Sequence, residues 1–185
     1  MATISTSIAP STSTHLCIPA DSQPFWYAAY TRANHERHVA NQLAERGVEN
    51  FLPKYESMRK WKDRKIRLQL PLFPGYVFVH LALVNRLQVL QVPGVVCLVS
   101  FAGKPAAVPE EEFTRIRDFL SKGFRAQPHP YLKVGRRVRV RSGPFQGLQG
   151  IVVRWKNSTR LVISLDLIQR SMAVDVEGAC LEGLP

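Results

Sequence analysis

At 185 residues the chain is long enough for one medium domain or two small ones, and either can bury a core. A net charge of +11 and a pI near 10.1 point to a polyanionic partner, most often nucleic acid. Cys17, Cys97 and Cys180 are odd in number and far apart, which argues against a disulfide framework or a cysteine-based zinc site. No stretch approaches the roughly 20 apolar residues that cross a bilayer, and the start lacks a signal-peptide pattern, so a soluble cytoplasmic protein is expected.

Residues 1–24 are rich in Ser, Thr and Pro and hold no Lys or Arg, the composition of a disordered tail. Phe25–Tyr30 is short and aromatic and predicts a strand. A helix is expected from about Asn34 to Arg46, with Val39, Ala40, Leu43 and Ala44 inward and Gly47 as its left-handed C′ residue. Val48–Tyr55 reads as a second strand, interrupted or edged by Pro53. From Lys54 to Arg67 there are seven basic and two acidic residues, which predicts an exposed loop or hairpin arm.

Leu70–Leu81 predicts a buried strand, Asn85–Gln91 a short helix halted before Pro93-Gly94, and Val95–Val99 a further strand. Glu110–Lys122 carries Phe113, Ile116, Phe119 and Leu120 on one face. Three glutamates sit at its positive end, and Gly123 stops it. Residues 124–131 contain two prolines and read as an irregular linker. Beyond it only short strands are expected, at Arg137–Arg141, Gly150–Trp155, Arg160–Leu165 and Arg170–Val176. Turns fall at Gly143-Pro144, Gly147 and Lys156-Asn157.

The fold class is therefore α+β. An N-terminal split-βαβ antiparallel sheet (25–123) with helices on one face is joined to a small SH3-like β-barrel (132–185).

In the segment Leu72–Val79, Val77 and Val79 alternate with Tyr76 and Phe78, so only one set can face the helices. Phe73-Pro74-Gly75 adds a rigid turn. Tyr30, Phe73 and Tyr76 together suggest an aromatic protein-docking patch beside the strand packing that explains most neighbouring residues. Gly75–Val79 also approximates the RNP1 pattern of an RNA-recognition motif. Pro74, Val77 and Leu81 depart from it, so that reading ranks second.

Arg59, Lys60, Lys62, Arg64 and Lys65 around Trp61 can neutralise phosphates and stack on a base, although a solvated basic hairpin accounts for them equally well. Arg32 is a second candidate DNA contact. Arg137, Arg139 and Arg141 alternate with Val138 and Val140 as a half-buried strand requires. His35 and His38 lie three apart on a helix, but without HExxH spacing or a cysteine cluster they read as surface histidines. No phosphate loop, dinucleotide fingerprint or nucleophile elbow is present, so neither catalysis nor a cofactor is expected.

Collinear short motifs span Phe25 to Gly183: Trp26-Tyr27, Phe51-Leu52-Pro53, Pro71–Val79, Val92-Pro93-Gly94-Val95, Gly103–Pro109, Gly135–Gly150 and Ser164–Arg170. In this order they resemble the NusG family of transcription elongation factors, with an N-terminal NGN domain followed by a KOW domain. The resemblance implies that Tyr30, Phe73, Pro74 and Tyr76 grip the clamp helices of RNA polymerase. It also implies that Arg32 and the basic arm lie near the non-template DNA strand. The factor would then shift polymerase from paused to elongating populations.

The resemblance further implies a KOW partner, Rho or a small-subunit ribosomal protein, at Leu167, Ile168 and Arg170. An aromatic commonly sits where this chain has Ile168, which puts Rho recruitment in doubt. This departure, with the wording of Pro71–Val79, tilts the resemblance toward specialised RfaH- or UpxY-like paralogues. A monomer with a constitutive β C-terminus is expected. The alternative is an RNA-binding or ribosome-associated KOW protein.

Overall fold

In a computed structural model the described residues are 22–61, 64–122, 126–131, 135–142, 146–155, 158–176 and 181–184. Most of the expected tail, Cys17 and Cys180, Lys62, Gly123 and the Gly143-Pro144 and Lys156-Asn157 turns lie outside them.

The N-terminal half runs β1 (Pro24–Thr31), α1 (Glu36–Glu45), β2 (Glu49–Phe51), β3 (Lys54–Trp61), β4 (Arg64–Pro71) and β5 (Tyr76–Ala82). A 3-10 turn (Leu83–Asn85) follows, then α2 (Arg86–Leu90), β6 (Val95–Leu98), β7 (Ser100–Phe101), β8 (Lys104–Pro105) and α3 (Glu110–Ser121). Four strands form one sheet in the order β2-β5-β1-β6, with antiparallel neighbours. The crossovers β1-α1-β2 and β5-α2-β6 give the expected split βαβ.

Helix α1 forms because Val39 and Leu43 bury one stripe. It ends where Gly47, at φ +72°, lets its own amide reach Ala44 O and the Val48 amide reach Leu43 O. This pair of bonds is the Schellman pattern, and it satisfies two orphan carbonyls.

Both faces of the sheet are buried. Tyr27, Ala29, Val77 and Val79 share a core with Val39 and Leu43 of α1 and Val89 of α2. Trp26, Ala28 and Phe78, on the opposite face, share another with Phe113, Ile116 and Phe119 of α3. The expectation of helices on one face is therefore corrected: α1 and α2 share a face, and α3 covers the other. Strand alternation gives the physical reason, because the large apolar rings of Trp26 and Phe78 point away from α1. Phe113 stacks on Trp26 with ring centroids 3.9 Å apart.

The expected Leu70–Leu81 strand is broken by a turn at 72–75, and its first part belongs to a separate two-stranded hairpin, β3-β4. That hairpin is tied down at its base. Leu72 N donates to Pro53 O (2.8 Å), and Arg37 Nη2 of α1 donates to Gln69 O (3.0 Å).

The C-terminal half contains β9 (Ala126–His129), β10 (Arg137–Val140), β11 (Gln149–Trp155) and β12 (Ser158–Leu165). After a 3-10 turn (Asp166–Ile168) come β13 (Arg170–Asp175) and β14 (Leu181–Gly183). Six strands form one antiparallel sheet in the order β14-β10-β11-β12-β13-β9. Val138 and Val140 are buried while Arg137 and Arg139 are exposed, as their alternation requires. Gly150 is dictated by space, since a Cβ there would stand 2.5 Å from Val162 O of the neighbouring strand.

The expected irregular linker is a second correction. Residues 126–129 pair with 171–174, so they complete the sheet. Pro128 is tolerated because β9 is an edge strand, where half of the backbone amides point away from the sheet.

The halves pack together. One contiguous apolar cluster runs from Trp26, Phe73 and Phe113 to Leu161, Leu165, Ile168 and Met172.

Candidate functional site

The candidate docking corner is built by one turn. Tyr76 N donates to Phe73 O (3.2 Å), and Gly75 sits at φ +86° after Pro74. This matches a type II turn, whose third residue must take positive φ and whose second favours proline. The corner is bonded on two more sides: Thr31 N donates to Gly75 O (2.8 Å), and Gly75 N donates to Glu36 Oε1 (2.7 Å). Glu36 is buried at the first turn of α1, where the helix dipole also favours its charge. Nothing in the sequence flagged Glu36, because its partner lies 39 residues away.

This turn sets two tyrosines side by side. Tyr30 pairs with Tyr76 across β1 and β5, with ring centroids 5.5 Å apart at 49°. A side chain on Gly75 would begin 3.3 Å from Tyr30 Cε2, so glycine suits the positive φ and also spares that ring a shift of a few tenths of an ångström. Tyr30 is 43% exposed and Pro74 is exposed.

Phe73 does not join them at the surface. It is 1% exposed and meets Phe78 edge-on at 6.0 Å. The expectation of an outward Phe73 is thereby corrected. As first residue of the turn it points back onto the apolar sheet face, and its burial anchors Pro74 and Tyr76. Arg32 is exposed at the same corner, its backbone amide bonded to Gly94 O (2.8 Å).

The second candidate segment meets the first. The Arg170 guanidinium carbon lies 6.0 Å from the centre of the Tyr76 ring, within cation–π range. Ile168 is buried and Leu167 half-buried against the shared cluster, while Gln169 takes φ +48° to bring Arg170 round. Residues expected to serve two different partners are thus in mutual contact.

A cavity of about 220 Å³ opens between Glu112, Arg115 and Ile116 of α3 and residues of β10, β11, β12 and the following 3-10 turn, Asp166 included. Burial, reinforced by the Asp166 charge, pushes the Glu112 carboxyl above its ordinary 4.5, and Arg115 opposes this. Asp166 also accepts a hydrogen bond from Tyr131 Oη at 3.0 Å. Elsewhere on the C-terminal sheet the Arg141 guanidinium, 2.8 Å from Glu182, holds that carboxyl below its ordinary value.

The expected nucleic-acid residues are divided by the hairpin register. Positions 59, 61 and 64 share one face, and positions 60 and 65 the other. His35 and His38 do not converge, because His35 Nδ1 lies 3.0 Å from Ala33 O and His38 Nε2 lies 2.7 Å from Gln42 Nε2. Among the described residues no group of three or more His, Cys, Asp or Glu could hold a metal ion. No helix among them is long and apolar enough to cross a membrane.

Residues 24–117 match the family model described as "Transcription termination factor nusG". That stretch is half of the chain, and it contains both tyrosines and the turn between them. The chain belongs to the NusG family. A Staphylococcus aureus transcription termination/antitermination protein NusG is 31% identical over 171 residues, covering 82% of this chain and 91% of that protein. The Pseudomonas aeruginosa NusG is 28% identical over 167 residues, covering 82% and 94%. Among solved structures, one described as "Domain interaction in Thermotoga maritima NusG" shares the fold with a TM-score of 0.56. It covers 89% of this chain and 99% of its own at 22% identity.

Proposed function

We propose that this NusG-family chain is a non-catalytic regulator of elongation and antitermination. It binds the clamp helices of RNA polymerase through Tyr30, Pro74 and Tyr76, with Phe73 as their buried anchor. By bridging the cleft it lowers the population of paused polymerase. Arg32 and the basic hairpin reach the DNA alongside, and the C-terminal domain (132–185) recruits a ribosomal protein or Rho through Leu167, Ile168 and Arg170. Ile168 in place of the family's common aromatic favours a specialised member, related to the RfaH- and UpxY-like factors.

The observation that carries this reading is the corner formed by exposed Tyr30 and Pro74 and half-buried Tyr76, held by three hydrogen bonds from backbone amides and a glycine whose side chain would crowd the Tyr30 ring. Pre-organised aromatic groups bind a partner with little ordering cost. The contact of Arg170 with Tyr76 adds a condition: use of Tyr76 by polymerase and of Arg170 by another protein both require that contact to open.

The competing RNA-recognition reading needs an open sheet face on which bases stack. Here Trp26 and Phe78, at the middle of that face, lie beneath Phe113. Single-round transcription on a pausing template with purified RNA polymerase tests the proposal. Shortened pauses are expected, and unchanged pause lifetimes at saturating protein refute it.

A further inference from the structure

The β3-β4 hairpin is a ribbon of eight paired positions, Lys54↔Pro71 to Trp61↔Arg64, and among the described residues no third strand pairs with it. Its base is fixed to the body, where Tyr55 packs on the core. The outer part differs. Its strands, 58–61 and 64–67, carry Arg59, Lys60, Arg64, Lys65 and Arg67 and no carboxylate, and in sequence they are joined by Lys62 and Asp63, whose charges cancel. The register puts Arg59 and Arg64 on one face, and Lys60, Lys65 and Arg67 on the other. Lys60 and Lys65 stand directly opposite each other, a like-charge pair that disfavours the free ribbon. An isolated two-stranded ribbon is itself marginal in water, so both features favour an anionic partner that closes over it.

A single strand of nucleic acid tracks one face and stacks on a row of aromatics. This ribbon has cations on both faces and one aromatic, Trp61, in its outer part. The groove of a duplex presents a phosphate wall on each side. The major groove of B-form DNA, about 12 Å wide, admits a two-stranded ribbon, whereas the A-form major groove is too narrow. From the two-faced charge we infer that the outer hairpin enters the major groove of B-form duplex DNA, with Arg59 and Arg64 toward one backbone and Lys60, Lys65 and Arg67 toward the other. This rests on the DNA-contacting role proposed above and changes the class of nucleic acid from single strand to duplex.

The test is fluorescence anisotropy of the full chain with a 20-base-pair DNA duplex, its single strand and the matching RNA duplex, each across a salt series. The DNA duplex is expected to bind at least about tenfold more tightly than the other two. The expected slope of log K against log salt is about −4 to −5, from five phosphate contacts. Arg59→Gln/Arg64→Gln and Lys60→Gln/Lys65→Gln keep side-chain length, and each is expected to reduce that slope by about 2.

Equal or tighter single-strand or RNA-duplex binding overturns the inference. So does sensitivity to only one of the two pairs. RNA polymerase binding, measured in parallel, separates the failures. Polymerase binding without any DNA binding overturns the groove inference alone, whereas loss of both overturns the proposed function as well.

Discussion

Truncating Phe73 is expected to destabilise the protein far more than truncating Tyr30, although both belong to the same candidate surface in the sequence. Phe73 is 1% exposed, wedged against Phe78 within a cluster shared by both halves. Removing a fully buried phenylalanine ring costs about 3–5 kcal/mol, against a total stability of about 5–15 kcal/mol. For a chain of this size each kcal/mol moves Tm by about 2–4 °C, so Phe73→Ala is expected to melt roughly 6–20 °C early. Tyr30 is 43% exposed and loses chiefly its ring contact with Tyr76, worth about 0.5–1.5 kcal/mol. Tyr30→Ala should therefore melt within about 6 °C of wild type. Thermal melts followed by near-ultraviolet circular dichroism read both. A Phe73→Ala melt within about 2 °C of wild type, or a larger loss for Tyr30→Ala, refutes the assignment of Phe73 as anchor.

Gly75→Ala combines positive-φ strain of about 1–2 kcal/mol with pressure on the Tyr30 ring. Gly47→Ala carries the same backbone strain with open space around it, so urea titration should show the larger loss at Gly75. Arg170→Ala removes a cation–π contact worth about 0.5–1 kcal/mol. It is expected to open the contact between the halves about two- to fivefold, read as the open fraction in NMR relaxation of the C-terminal half. Glu112 binds its proton more tightly when the halves are packed, because its carboxyl is raised there. Packing contributed by this group is therefore full below the ordinary value of 4.5 and is lost as pH rises through the raised one. Glu112→Gln should flatten that part of the pH dependence of the open fraction, and an unchanged profile counts against the coupling to Asp166.

Local rules carried much of the fold. The end of α1 was legible because Gly47 and the Val39/Leu43 stripe act within one helix. The Val138/Val140 strand was legible because alternation is a property of the strand itself. The misses share one cause, which is contact between residues remote in the chain. Pro128 reads as a breaker until β13 is found beside it, and only on the inner edge does an edge strand need its amides. Phe73 reads as a docking group until α3 and the C-terminal sheet are found above it. The hairpin reads as one basic arm in the sequence because a run of charges carries no register. Pairing Arg59 with Ile66 and Lys60 with Lys65 is what splits it into two faces. At the candidate site, Tyr30, Pro74 and Tyr76 were named from the sequence. The Glu36 bond that holds their turn was not, for want of any local signal.

The most direct test of the central claim is the affinity of purified RNA polymerase core for the wild-type chain and for Tyr30→Ala/Pro74→Ala. Both changes lie at exposed positions and leave the Phe73 anchor in place. The polymerase-docking account predicts that the variant keeps a cooperative melt and binds polymerase at least about tenfold more weakly, the loss of about 1.4 kcal/mol expected when central aromatic contacts go. Equal affinity of the folded variant and the wild type would contradict it.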